Sequence, residues 1–398
     1  MKKLYVYLSL NGEDKLVGTL SSDFVRGEET FSFEFSDEFL LNKKRPLIDP
    51  LLSYFKGKQY SFGFINDMTP DRFGMLLMNK NEQIEALKEN RVPKKLTTSD
   101  YLIRVNDLSR MGALRIKEDK NGPFINEDEN AIPPYIYLRD IEYASLMVEE
   151  NKKFDEAIYK RLLSPGSSLG GARPKANFYM NDEVYLAKFP SKHDEYDVEL
   201  WEYLIYQIAK ELGLNVSDYK LEKYSNYGHT LLIKRFDRNK NNRVHYLSGV
   251  TALGAVDGDS NQYSYLDLAN FITSYCVEVK RNLEELYKRM VFSYFINNTD
   301  NHLRNHAFIY VENELELSPM FDVNPTFFDA EFELSFGFGN NKKGLKEVAK
   351  YFYISDEEAE NILISFKQKI AKMIEAFANK YPKEKQNATV LLSILDKK

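Results

Sequence analysis

The sequence predicts an α+β protein of two lobes, on three observations. Alternating strands dominate the first third, and a glycine-rich turn followed by strand, helix and strand fills the middle. Amphipathic helices dominate the remainder. At 398 residues the chain exceeds one ordinary domain, so more than one lobe is expected. Its 43% hydrophobic and 29% charged residues exclude a disordered chain. The single cysteine, Cys276, excludes an internal disulfide, a thiolate metal site and a C-x-x-C pair, and its apolar run SYCVEV marks it as inert core. The formal charge of −6, from 54 basic and 60 acidic residues, provides no global attraction for nucleic acid.

Taken in order, residues 4–10 and 16–20 read as strands joined at Asn11-Gly12, a strong hairpin signal. The run 30–35 places Phe31, Phe33 and Phe35 on one face of a third strand. Turn-rich FINDMTPDRFG at 64–74 precedes a helix around 82–89, and RMGALRIKED at 110–119 closes the unit with a short strand. Residues 116–150 hold nine acids, three bases and Pro123, Pro133 and Pro134, a composition expected of a linker or surface excursion. Beyond it come SPGSSLGGARPKANFYM, the strand VYLAKFP at 184–190, and helical spacing at Val198, Trp201, Leu204, Ile205, Ile208 and Leu212 that ends at Gly213. A strand at 229–238 leads to helices expected over 265–273, 283–295, 357–378 and 389–395. Three domains follow: 1–120, an α+β subdomain; 121–240, a nucleotide-binding lobe with the glycine-rich turn; and 241–398, a mainly helical lobe. This is the element order of a two-lobed nucleotide kinase.

The opening MKKLYVYLSLNGEDK alternates and lacks a small-residue cleavage pattern, so it reads as a strand rather than a secretory signal. No stretch approaches eighteen apolar residues without a charge. Both observations point to the cytoplasm, with no membrane partner.

Four segments carry chemistry. In SSLGGARPK, Gly170, Gly171 and Ala172 let backbone N–H groups approach a phosphate, and Arg173 and Lys175 add positive charge. The segment is not a Walker A loop, and an ordinary polar turn explains it equally well. Lys188 shares a strand face with Val184 and Leu186, where a nucleotide phosphate or Glu202 of the next helix would receive its ammonium; the alternative is an edge lysine reaching solvent. In NNTDNHLRNHAF, Asp300 and Asn305 lie five positions apart between a helix and a strand. That spacing suits an acceptor-orienting carboxylate and a metal-ligating amide, although Asn and Asp also simply cap turns. FIYVENELELS reads as a hairpin turning near Asn313, which returns Asp322 of SPMFDVNP toward Asn305, and two oxygen donors suit Mg2+. His302 reads as loop scaffold or phosphate contact, while zinc or manganese ligation by His302 and His306 would need a helix where a strand is expected. IKRFDR offers Lys234 and Phe236 either as an adenine-binding hinge or as a strand end with solvated charges.

At SSLGGARPK, LAKFP, ELWEYLIYQIAKELGL, IKRFDR, NNTDNHLRNHAF and SPMFD the chain resembles the HipA family, the serine/threonine-kinase toxins of bacterial type II toxin–antitoxin modules. VGTL at 17–20 and MGALRI at 111–116 extend the resemblance over nearly the whole chain. It implies a protein-kinase-like fold holding ATP and Mg2+, with Lys188 on the phosphates, Lys234 and Phe236 lining the adenine site and Asp300 as catalytic base. It further implies Asn305 and Asp322 on Mg2+, and Ser168 of the glycine-rich loop as the autophosphorylation site, with Ser167 its rival. The expected partners are a protein substrate, in some members an aminoacyl-tRNA synthetase, and a small helix-turn-helix antitoxin through which DNA is met only indirectly. Asn301 and Arg304 stand where Arg and Lys are common in the family; Asn301 removes a positive charge and Arg304 keeps one in a planar fork, which bears on substrate choice. A small-molecule or lipid kinase, or a catalytically silent interaction protein, remains as an alternative.

Overall fold

Asn11 and Gly12 both take positive φ, 53° and 78°, the two-residue turn whose twist matches its flanking strands. They join β1 (Lys2–Leu10) to β2 (Glu13–Val25), and Arg26 and Gly27 repeat the device at 53° and 87° before β3 (Glu28–Phe35). With β4 (Leu114–Lys117) on the other side of β1, these form an antiparallel sheet of order β3-β2-β1-β4. The computed structural model describes residues 2–128, 131–149, 173–240, 242–312 and 314–398. Leu4, Val6 and Leu8 of β1 are buried with Val17, Leu20, Phe33 and Phe35, and Phe31 packs partly against them. At Gly18 a Cβ would overlap the Glu34 carbonyl and the Phe33 ring, so glycine is what lets β3 close on β2.

The described residues divide into two compact units, one within Met1–Lys192 and Leu232–Leu247, the other within His193–Leu231 and Ser248–Lys398. The first adds α1 (Asp37–Leu41), α2 (Ile65–Met68), α3 (Arg72–Lys88), α4 (Thr98–Arg104) and α5 (Leu138–Glu149). Helix α3 starts well before the expected 82, because the Asp71 carboxylate accepts from the Gly74 N–H at 2.6 Å and converts a turn-like PDRFG into a capped first turn. The proline- and acid-rich stretch is also not a mere linker. Its α5 buries Leu138, Ile141, Ala144, Leu146 and Val148 while Arg139 and Asp140 stay in solvent.

A second hairpin, β5 (Lys175–Met180) and β6 (Glu183–Lys188), turns through Asn181 and Asp182 with φ of 53° and 60°. Residues 232–234 of the strand Thr230–Lys234 lie beside β6, where the Arg235 N–H donates to the Val184 carbonyl at 3.0 Å. The segment that follows is locked down by a buried charge cluster. Asp237 accepts from Arg235 at 2.7 Å, from Arg238 at 2.5 Å and from the Gly112 N–H at 2.8 Å. Burial alone would raise its carboxyl, but the two guanidiniums overcome that and hold it well below the usual range. Arg238 also donates to the Leu108 and Arg110 carbonyls, so Arg235, Asp237 and Arg238 are interior groups rather than solvated charges at a strand end.

The second unit is mainly helical: Val198–Glu211, Tyr265–Tyr275, Val279–Phe295, Asp356–Lys380 and Lys385–Lys397 are its longest elements. Gly213, at φ 75°, ends the first of these as its sequence suggests. Trp201 is fully buried against Phe327 and Phe377, and its indole N–H donates to Glu384 at 2.8 Å. Cys276 is buried, and burial pushes its thiol up to about 12, as expected of an inert core cysteine. No helix among the described residues is long and apolar enough to cross a membrane.

Candidate functional site

The segment 297–305 leaves the helix Val279–Phe295 through Asn297, whose φ of 55° bends the chain out of the helical path. From there it is laced to residues 326–334. The Asn297 amide donates to the carbonyls of Thr326 at 2.7 Å and Phe328 at 3.1 Å, and the Thr326 N–H donates back to the Asn297 carbonyl at 2.9 Å. Thr299 and Thr326 share a hydroxyl hydrogen bond at 2.7 Å, and the Glu333 N–H reaches the Thr299 carbonyl at 3.0 Å. Asn301 completes the lacing: its amide N–H donates to the Leu334 carbonyl at 3.2 Å and its Oδ1 accepts from the Leu334 N–H at 3.1 Å.

Between these buried anchors Asp300 projects outward, its side chain 78% exposed. The Asn305 Nδ2 donates to the Asp300 backbone carbonyl at 2.9 Å and closes the loop on itself. That bond uses one of the two amide N–H donors and orients the group, whose Oδ1 is the atom suited to a cation. His302 stands with Nε2 3.7 Å from Asp300 Oδ1. Asn301, read from sequence as a change near the substrate, is an interior clamp only 1% exposed. Arg304 is engaged by Asp257 through Nε at 2.6 Å. The anchors Asn297, Thr299 and Asn301 were missed as a set; the only local signal was a run of polar residues directly after an apolar helix end.

The hairpin of Ala307–Val311 and Glu314–Leu317 forms with Phe308 opposite Leu317, and the Ser318 N–H reaches the Ala307 carbonyl at 2.9 Å. The expected turn residue Asn313 lies outside the described residues. Asp322 follows with φ 54°, a left-handed conformation that costs a non-glycine residue free energy and recurs at functional loops. Asn305 and the neighbours of Asp322, Met320 and Val323, line one small cavity together with Arg289 and His306. Its volume of about 10 Å³ has room for one water at most. Burial lowers the His306 imidazole to about 3, with Arg289 adding to the effect, so the ring is neutral and packs edge-on to Tyr265. Among the described residues no group of three or more His, Cys, Asp and Glu is arranged to hold a metal. The donor set of one carboxylate and one amide oxygen, by contrast, is chemically right for Mg2+, which keeps several of its waters.

In the first unit Lys188 is 7% exposed and lies on β6 between β5 and the strand Thr230–Lys234, so it is not an edge lysine reaching solvent. Across the hairpin it faces Lys175, whose ammonium is 3.1 Å from the buried Asp71 carboxylate. Arg173 is half-buried ahead of β5. Lys234 pairs with Glu183 at 3.0 Å, and half-buried Phe236 stacks on Tyr246 with ring centroids 6.2 Å apart. Glu202 belongs to the second unit, where it is buried on the helix Val198–Glu211. Ser167, Ser168, Gly170, Gly171 and Ala172 lie outside the described residues. A larger cavity in the first unit, about 740 Å³ and lined in part by Met78, Ile103, Phe124 and Asp128, holds none of these candidates.

The fold is that of HipA: a sheet-rich N-terminal subdomain and a mainly helical C-terminal lobe. It matches HipA in the Shewanella oneidensis MR-1 complex of HipA, HipB and operator DNA with a TM-score of 0.68, covering 99% of this chain and 97% of that one at 17% identity. Residues 167–383, more than half of the chain, match the model of the HipA-like C-terminal domain, and the chain belongs to that family. A Haemophilus influenzae protein named "Putative kinase" is 29% identical over 179 residues, and "Putative kinase Y4dM" of Sinorhizobium fredii is 24% identical over 263. These matches span 39% and 58% of this chain, and 52% and 62% of the respective relatives.

Proposed function

We propose that the protein is an ATP- and Mg2+-dependent serine/threonine kinase that also phosphorylates itself, acting as the toxin of a toxin–antitoxin pair. The observation that carries this reading is the Asp300–Asn305 loop. An exposed carboxylate sits on a backbone pinned on both sides, and the Asn305 amide is oriented by the Asp300 carbonyl at 2.9 Å. Asp300 would accept a hydrogen bond from the acceptor hydroxyl and take its proton as the serine oxygen bonds to the γ-phosphorus. The bond from that phosphorus to the β–γ bridging oxygen breaks, ADP leaves, and the proton passes to solvent. Asn305 and Asp322 would hold Mg2+, which supplies charge neutralisation at the phosphates. Lys188, with the glycine-rich segment, would bind phosphates, while Lys234 and Phe236 would line the adenine; Glu202, Arg173, Lys175 and His302 support these groups.

Ser168, or its neighbour Ser167, is the proposed self-phosphorylation site, where about −1.5 to −2 of added charge would oppose ATP phosphates. The neighbouring fold was solved with HipB and operator DNA, and by analogy a small helix-turn-helix antitoxin is the proposed partner here, DNA being met only through it. A protein is the proposed external substrate. Peptide mapping after incubation with ATP and Mg2+ tests the self-modification: phosphate on Ser168 or Ser167, with weakened ATP binding, is expected. Unmodified protein, or modification without effect on ATP affinity, would overturn it.

A further inference from the structure

The last residue of the chain reaches the base of the candidate catalytic loop. The Lys398 ammonium donates to the Tyr294 carbonyl at 2.6 Å and to Asn297 Oδ1 at 2.8 Å. It lies 4.7 Å from the Tyr294 ring centroid and 5.2 Å from that of Phe332. Each contact has a physical reason. Tyr294 is in the last turn of the helix Val279–Phe295, where its carbonyl accepts from the Asn297 N–H at 3.2 Å, has a second lone pair for the ammonium, and lies at the helix end whose dipole favours a cation. The two aromatic faces add attraction for the same charge. Burial lowers the ammonium to about 8, with the Asp329 carboxylate opposing the shift, so the group is protonated at neutral pH.

The consequence lies in Asn297. Its Oδ1 is taken by Lys398, which fixes the amide so that Nδ2 points to the carbonyls of Thr326 and Phe328. One side-chain amide therefore joins the C-terminal lysine, the start of segment 297–305 and the chain just beyond Asp322.

We propose that Lys398 is a positioning residue, a latch that sets the Asn297 amide and thereby the spacing between the loop carrying Asp300 and Asn305 and the segment that follows Asp322. The functional half of this inference rests on the kinase reading above; the mechanical half does not.

The test uses the full chain as wild type, Lys398→Met and Lys398→Arg, with hydrogen exchange resolved by segment and phosphoryl transfer measured in parallel. In Lys398→Met, amides of 297–305 and 326–334 should exchange about tenfold faster, the scale of one hydrogen bond from a charged donor lost. The helix Asp356–Lys380 should be unchanged, and Lys398→Arg should restore most of the protection. Transfer should fall about tenfold in kcat with KM for ATP unchanged, again by loss of a contact on that scale. Wild-type exchange in Lys398→Met, or acceleration spread equally over Asp356–Lys380, overturns the latch. If the exchange pattern appears while wild type transfers no phosphate, the latch stands and the kinase reading fails.

Discussion

Replacing Asn301 by alanine removes one side chain and strands two backbone groups. The Leu334 N–H and carbonyl both rely on the Asn301 amide, at 3.1 and 3.2 Å, in a site that is 1% exposed. A buried donor or acceptor left without its partner costs about 1–3 kcal/mol, so the pair should cost about 2–6 kcal/mol. Trp201, the sole tryptophan, is buried in the same unit and reports its unfolding by fluorescence. In urea the Asn301→Ala midpoint should fall with the slope unchanged, because the variant loses stability without changing the surface exposed on unfolding. Asn301→Asp should fare little better, since a carboxylate oxygen would then face the Leu334 carbonyl. A loss below about 0.5 kcal/mol, the range of ordinary surface substitutions, would refute the clamp and return Asn301 to the substrate-facing role its sequence suggests.

Buried His245 donates from Nε2 to the Leu47 carbonyl at 2.9 Å, and burial lowers its imidazole to about 4. The unfolded chain therefore binds a proton near pH 6.5 that the folded chain refuses until about 4, and stability of the first unit should fall as pH drops through that window by about 1.4 kcal/mol per unit. Hydrogen exchange of β1 amides, corrected for intrinsic rate, should show that slope, and His245→Gln should flatten it; an equal slope in both proteins excludes this group. Asp237→Asn leaves Arg235 and Arg238 buried without their carboxylate and should cost about 3–5 kcal/mol, seen as a lower thermal midpoint; an unchanged midpoint would mean the cluster tolerates its own charge. Asp322→Asn should fold normally, because asparagine accepts the left-handed backbone at φ 54°, yet lose Mg2+-dependent transfer. Full turnover by folded D322N removes Asp322 from the metal site.

Features encoded by near neighbours were legible in the sequence. Asn11-Gly12 specified its hairpin, Gly213 its helix end, and the spacing of Val198 to Leu212 its helix. The closed Asp300–Asn305 loop and the strand pair after it also depend on residues a few positions apart. What escaped depends on distant partners or on composition with two readings. Asp71 looked like part of a turn because Pro-Asp usually is, and only the Gly74 N–H makes it a helix cap. The prolines and acids of 116–150 concealed an apolar stripe on α5. Arg235 and Asp237 looked solvated because the groups that bury them, Arg110 and Gly112, lie more than a hundred residues away. Asn301 showed nothing of Leu334, and Asn297 nothing of Lys398. A polar side chain announces that it will bond, but its partner is set by tertiary structure.

In the proposed function, phosphoryl transfer depends on the loop that carries Asp300. Its most direct test is incubation of the purified full chain with γ-labelled ATP and Mg2+, alongside Asp300→Asn, with label followed into protein and into small molecules. The exposed position of Asp300 means the variant should fold and bind ATP as wild type does, by Trp201 fluorescence and calorimetric titration. Mg2+-dependent label on wild-type protein and none on Asp300→Asn is the expected result. Equal labelling of the two proteins, or label passing only to small metabolites, would contradict it.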